Sequence, residues 1–208
     1  MEVLFTSLGY TIYALLAVIA LWGSFCVIMV WRRVAQTRFA NEFEQDEFLG
    51  ELEHTLATKD YLAAVELCDG DRRAMPQLAL FAINNRELGY TKLRNRIAER
   101  YQRDVMADIG HRQSWVATVI KSAPMIGLLG TVIGMMGAFA NLAGGKVDPV
   151  VMAKDIQFAL ITTACGLAIA VPLVLCMASI EVRLSKMEDL ISMGLGRLFE
   201  NFKTIFPD

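Results

Sequence analysis

Two threonines, each set among residues of almost no volume, are the polar groups of this 208-residue chain whose placement could do chemistry. Gly127, Gly130, Thr131, Gly134 and Gly137 fall at steps of three and four, which puts them on one face of a helix. Ala159, Thr163, Gly166 and Ala170 line one face of a second helix in the same way. The run from Gly130 to Gly134 has a small residue at each end of a four-residue step, a pattern that lets helix backbones approach closely. Two chemistries fit these faces. In one, each hydroxyl bonds back to a carbonyl one turn earlier and the faces serve packing alone. In the other, several copies assemble with the faces inward, and the hydroxyls are the polar points of a narrow ion path. Spacing leaves both open. Pro124 and Pro172 interrupt the hydrogen-bond ladders of the same two helices and are expected to kink them.

Other chemistries find no support in the residues. The chain has no nucleophile–base pair, no metal-ligand cluster and no phosphate-binding glycine loop, so no enzyme activity, metal or cofactor is expected. Cys26, Cys165 and Cys176 lie in apolar stretches and Cys68 in the long polar segment, with spacing that suits neither zinc nor a disulfide framework. The formal net charge is −2 and there is no basic face of the kind that reads phosphate, so no nucleic-acid partner is expected.

The elements that carry the threonines are set by hydropathy. Of the residues, 55% are apolar, and the mean hydropathy of +0.42 is too high for a soluble chain of this size. Leu8–Trp31, Ser122–Gly145 and Ile156–Ile180 contain no charged residue and no histidine, over 24, 24 and 25 residues. About 20 helical residues cross a hydrocarbon core. The first stretch has no basic leader and no small-residue cleavage site before Trp31-Arg32-Arg33, so it reads as a retained span. The expected fold is an all-α integral membrane protein with three transmembrane helices. Their bounds are 8–31, 114–142 and 156–180.

Basic residues near the span ends set the orientation. Arg32, Arg33, Arg38, Arg103, Arg112, Lys121, Arg183, Lys186 and Arg197 flank one side, against Lys146 and Lys154 on the other. The N-terminus (1–7) and the link 143–155 are therefore expected outside, in the periplasm. The segment 32–113 and the tail 181–208 are expected in the cytoplasm.

Inside segment 32–113, Asp60 opens a short amphipathic helix over 61–67, which Asp69-Gly70-Asp71 stops. A second helix follows Pro76 and ends near Gly89. Leu93, Ile97, Tyr101, Val105 and Ile109 recur at four-residue steps, which predicts one long helix running from Thr91 into the second span. Val182, Leu184, Met187, Leu190, Ile191, Leu195 and Leu198 extend the third span in the same way, into a cytoplasmic C-terminal helix. Arg94, Arg96, Arg100 and Arg103 form a solvated face or meet lipid headgroups.

Ala123-Pro124-Met125-Ile126-Gly127-Leu128-Leu129-Gly130-Thr131-Val132-Ile133-Gly134-Met135, followed by Phe139, resembles the second-span signature of the MotA/TolQ/ExbB proton-channel family. Ala159-Leu160-Ile161-Thr162-Thr163-Ala164-Cys165-Gly166-Leu167-Ala168-Ile169-Ala170-Val171-Pro172 resembles its third-span signature. Span count, orientation and length are similar to the ExbB/TolQ branch. The resemblance implies a homo-pentamer in the bacterial inner membrane around a single-span ExbD/TolR-like subunit, whose membrane aspartate takes up and releases the ion. It implies a stator subunit of a motor that uses ion motive force for work at the envelope. TonB-dependent import or Tol-Pal-type maintenance would be such work, with a TonB/TolA-like protein as a further partner. The family's pore threonines match Thr131 and Thr163. Phe158 stands where many ExbB and TolQ chains carry glutamate, and Met177-Ala178 where they carry Tyr-Asn, so no role of that glutamate carries over. The alternative is a non-conducting scaffold or assembly subunit of an envelope complex.

Overall fold

The computed structural model describes residues 2–143 and 149–205. Met1, the link residues Lys146 and Asp148, and the last three residues of the tail lie outside the described residues. The described chain is helical, without strands. In order come α1 (Glu2–Thr37), α2 (Glu42–Ala57), α3 (Tyr61–Cys68), α4 (Ala74–Asn84), a 3₁₀ turn (Arg86–Leu88) and α5 (Tyr90–Arg100). A π-helical stretch (Tyr101–Met106), α6 (Ala107–Ala143) and α7 (Pro149–Ile205) follow. Three helices are long and apolar enough to cross a membrane: Gly9–Thr37, Tyr90–Leu142 and Pro149–Lys203. The second and third are far longer than a bilayer requires. Of the expected outer link, Ala143 ends α6 and 149–155 forms the first two turns of α7. The chain divides into two compact units, one of 1–29 with 112–178 and the other of 30–111 with 179–208.

In the first unit, α1, α6 and α7 pack through small residues, because apolar burial drives no helix association in lipid and close van der Waals contact must do the work. Gly23 of α1 marks where the three meet. A Cβ built there would lie 2.7 Å from Val119 Cγ1 and 2.9 Å from Leu173 Cδ1. Near the start of α1, Gly9 faces the Phe158 ring, which Tyr13 meets edge-on with centroids 5.5 Å apart. Trp22 and Trp115 form a second edge-on pair at 6.3 Å. Tyr10, Leu15, Val18, Leu21, Phe25 and Ile28 leave α1 with an exposed apolar face suited to lipid.

The second unit has a conventional apolar core. Leu49, Leu52 and Leu56 of α2 are fully buried, with Met75 and Ile83 of α4, Leu93 and Ile97 of α5, and Met187 and Leu198 of α7. Each such side chain contributes about 1.5–3 kcal/mol of transfer free energy. Asp60 caps α3 by accepting a hydrogen bond from the Ala63 N–H at 3.1 Å. Gly70 and Gly89 take φ of +77° and +75°, a region that favours glycine, where the chain turns out of α3 and into α5. Gln45 of α2 donates to the Leu190 carbonyl of α7 at 2.6 Å, and Arg197 of α7 reaches Glu53 at 3.1 Å and Asp46 at 2.9 Å. Arg33 pairs with Asp108 at 2.8 Å.

The long helix expected from Thr91 into the second span begins at Tyr90 and is continuous, but its register changes at Tyr101–Met106. The inserted π turn is a feature the four-residue apolar recurrence did not reveal. The Tyr101 hydroxyl there is buried without a hydrogen-bond partner, and burial, then the nearby Glu188 carboxylate, pushes its pKa up to about 12.

Candidate functional site: a threonine pair in a glycine-lined seam

α6 and α7 run antiparallel in the first unit, and their contact seam can be read rung by rung. A Cβ on Gly166 would lie 2.6 Å from the Ala123 carbonyl oxygen and 3.3 Å from Gly127 Cα. One on Gly127 would meet the Thr162 carbonyl oxygen at 2.8 Å and Thr163 Cα at 3.0 Å. Gly130 faces the Thr162 side chain, with Thr162 Cβ 2.6 Å from the position a Cβ would take. Gly134 faces Ala159 and the Asp155 carbonyl, each at 2.8 Å. Gly137 is the loosest rung, 3.5 Å from Asp155 Oδ2. Four of the small residues singled out in the sequence (Gly127, Gly130, Gly134 and Gly166) are thus places where no larger residue fits. Ala159 and Ala170 are buried, and Pro124 and Pro172 lie within α6 and α7.

Thr131 and Thr163 come together on this seam, their Oγ1 atoms 3.4 Å apart. Thr131 Oγ1 donates to the Leu128 carbonyl at 2.6 Å, and Thr163 Oγ1 donates across the seam to the Gly127 carbonyl at 3.1 Å. Each hydroxyl has one proton and two lone pairs. When both protons are given to backbone carbonyls, the lone pairs of the two oxygens are left to accept. Such a pair can coordinate a cation or accept from a protonated carboxylic acid. Both residues are half-buried, so this capacity is not sealed inside the chain.

Thr162, which sequence spacing passed over, is the fully buried one. Its hydroxyl donates to the Ala159 carbonyl at 2.9 Å and fills the space that Gly130 leaves. Adjacent threonines on one helix point about 100° apart, and the signal for Thr162 was its place three residues after Ala159 and four before Gly166. Asp155 was also missed. It lies one residue outside the charge-free stretch, yet Asn141 Nδ2 of α6 donates to its Oδ2 at 3.0 Å, which fixes the carboxylate on the seam. Among the described residues, no group of three or more His, Cys, Asp or Glu side chains could hold a metal ion.

The site is thus a glycine-lined seam carrying a hydroxyl pair, between two of three helices long and apolar enough to cross a membrane, in stretches (122–145 and 156–180) that hold no Asp, Glu, Lys, Arg or His. The model of the MotA/TolQ/ExbB proton channel family matches residues 77–193, more than half of the chain, and the chain belongs to that family. It is 38% identical over 96 residues to the Tol-Pal system protein TolQ of Haemophilus influenzae, covering 46% of this chain and 40% of that one. It is 54% identical over 54 residues to an ExbB homologue of Methanothermobacter thermautotrophicus, covering 26% and 19%. With the biopolymer transport protein exbB1 of Vibrio cholerae, 46% identity over 54 residues covers 25% and 24%. These relatives put the chain in the ExbB/TolQ-like branch, and each is matched over less than half of its own length. Phe158 is turned toward Gly9 and Tyr13 of α1.

Proposed function

We propose that this chain is the stator subunit of an inner-membrane motor, and that Thr131 and Thr163 line its ion path. Several copies, five by analogy with the family, would surround a single-span ExbD/TolR-like partner whose carboxyl group meets the hydroxyl pair. The observation that carries this reading is the pair itself: two half-buried oxygens 3.4 Å apart, both with lone pairs to spare, in helical stretches that hold no Asp, Glu, Lys, Arg or His. A protonated carboxylic acid on the partner is a donor that such oxygens satisfy, and a proton path needs a titratable group at membrane depth. The basic flanks support a periplasmic N-terminus and a cytoplasmic segment 32–113. The work delivered would be at the envelope, through a TonB/TolA-like protein, in import or in envelope maintenance.

A scaffold without ion flux has one observation in its favour. Both hydroxyl protons are already used within the chain, by Leu128 and Gly127. The double variant Thr131→Val/Thr163→Val separates the two. Valine keeps the shape and removes the acceptors. The stator reading expects the variant to assemble with its partner at normal stoichiometry while motive-force-dependent output falls severely. Wild-type output leaves the scaffold, since intramembrane hydrogen bonds average only about 0.6 kcal/mol.

A further inference from the structure

Asp155 is the one carboxylate whose side chain lies on the α6–α7 seam among the described residues of the membrane unit, and nothing in the path described so far uses it. Its position is built by three features. Gly137 lacks a side chain where Asp155 Oδ2 approaches, 3.5 Å from the site of a Cβ. Asn141 donates to that same oxygen at 3.0 Å. Gly134 lets the α7 backbone come close enough for the Asp155 carbonyl to stand 2.8 Å from where a Cβ would be. Asn141 engages Oδ2, and among the described residues no hydrogen bond or ion pair reaches Oδ1. The neighbouring Lys154 side chain is exposed. The carboxylate is half-buried, so its charge is screened less than that of an open surface group.

Eight residues separate Asp155 from Thr163 on the same helix, a rise of about 12 Å. The rungs between them, Ala159 with Gly134 and Thr162 with Gly130, belong to the same seam. We infer that Asp155 is the ion-binding residue at the outer mouth of the path, taking a monovalent cation, H⁺ or Na⁺, before it reaches the hydroxyl pair. Asn141 holds the carboxylate on the seam. The inference rests on the ion-path reading proposed above.

The test uses membrane vesicles from cells producing the full chain with its single-span partner, with flux measured against proton concentration and, separately, against Na⁺. Asp155→Asn keeps size and removes charge. It is expected to raise the half-saturating concentration of the transported ion about ten-fold or more, because a unit charge at contact distance outweighs a neutral amide at a half-buried site. Maximal flux is retained at high ion concentration. Asp155→Glu restores most of the affinity. Partner co-purification checks that both variants assemble, and whichever of the two titrations shifts identifies the ion. An unchanged half-saturating concentration in Asp155→Asn, with flux abolished in Thr131→Val/Thr163→Val, overturns the role of Asp155 and leaves the path standing. Full flux in the threonine double variant defeats the path itself.

Discussion

Replacing Gly127 by alanine adds one methyl group, and the seam geometry says what it meets. The new carbon would lie 2.8 Å from the Thr162 carbonyl oxygen, 3.0 Å from Thr163 Cα and 3.4 Å from Gly166 Cα. Carbon contacts relax at about 3.5–4.0 Å, and all three atoms are backbone, so no side-chain rotation makes room. Overpacking of this kind costs about 1–3 kcal/mol, with the rigid neighbours favouring the upper end. Alanine returns about 1 kcal/mol in helix propensity, leaving a net loss of about 2 kcal/mol. For a chain of this length each kcal/mol moves Tm by about 2–4 °C, so Gly127→Ala should melt about 4–8 °C lower. Gly50 and Gly196 sit in helices with nothing within 4 Å of a built Cβ. Alanine at either should raise Tm by about 1–4 °C, from propensity alone. Melting of the detergent-solubilised chain by far-UV ellipticity reads all three. A Gly127→Ala protein that melts at or above wild type would refute the seam geometry.

The thiol of Cys68 offers a second check. It is fully buried in the second unit, and desolvation, then the nearby Asp71 carboxylate, pushes its pKa up to about 12. It should therefore resist alkylation at pH 8 in the native chain and react once unfolded; fast native alkylation would contradict the packing of α3. Since an unfolded thiol ionises near 9, this group's contribution to stability is present below that pH and declines as pH rises from about 9 toward 12, which pH-dependent melting would reveal. Cys68 is for the same reason a poor topology reporter. Leu62, 81% exposed on the same helix, is a better site. In a chain with its native cysteines replaced, Leu62→Cys should react with a membrane-impermeant reagent only after permeabilisation. Labelling in intact cells would invert the proposed orientation.

Charge-free length made the three long helices legible in the sequence, and Asp60 with the Asp69-Gly70-Asp71 turn made α3 legible. Each depends on local chemistry: span length on the bilayer, a cap on one side chain and its own backbone. The features that escaped have other causes, and those at the site depend on contacts distant in sequence. The π turn at Tyr101–Met106 adjusts register within a helix whose apolar recurrence looks regular on both sides. α2 was not resolved as a separate helix, although Gln45, Leu49, Leu52 and Leu56 recur at helical steps, because acidic residues dominate its composition. At the site, spacing grouped Thr163 with Ala159, Gly166 and Ala170. Only the crossing of α6 over α7 decides that Thr162 is sealed against Gly130 while Thr163 reaches Gly127. Asp155 falls in the expected outer link by sequence, and it is Asn141, fourteen residues earlier, that holds it on the seam.

The central claim is that the hydroxyl pair faces a partner helix in the ion path, and proximity measures this most directly. In a chain freed of its native cysteines, Thr131→Cys is combined with single cysteines placed along the span of the ExbD/TolR-like partner, and disulfide formation is measured in native membranes. The account predicts cross-linking at a depth next to the partner's membrane carboxylate, with neighbouring depths weaker. An intact complex in which Thr131→Cys links only to another copy of this chain, or to nothing, would contradict it.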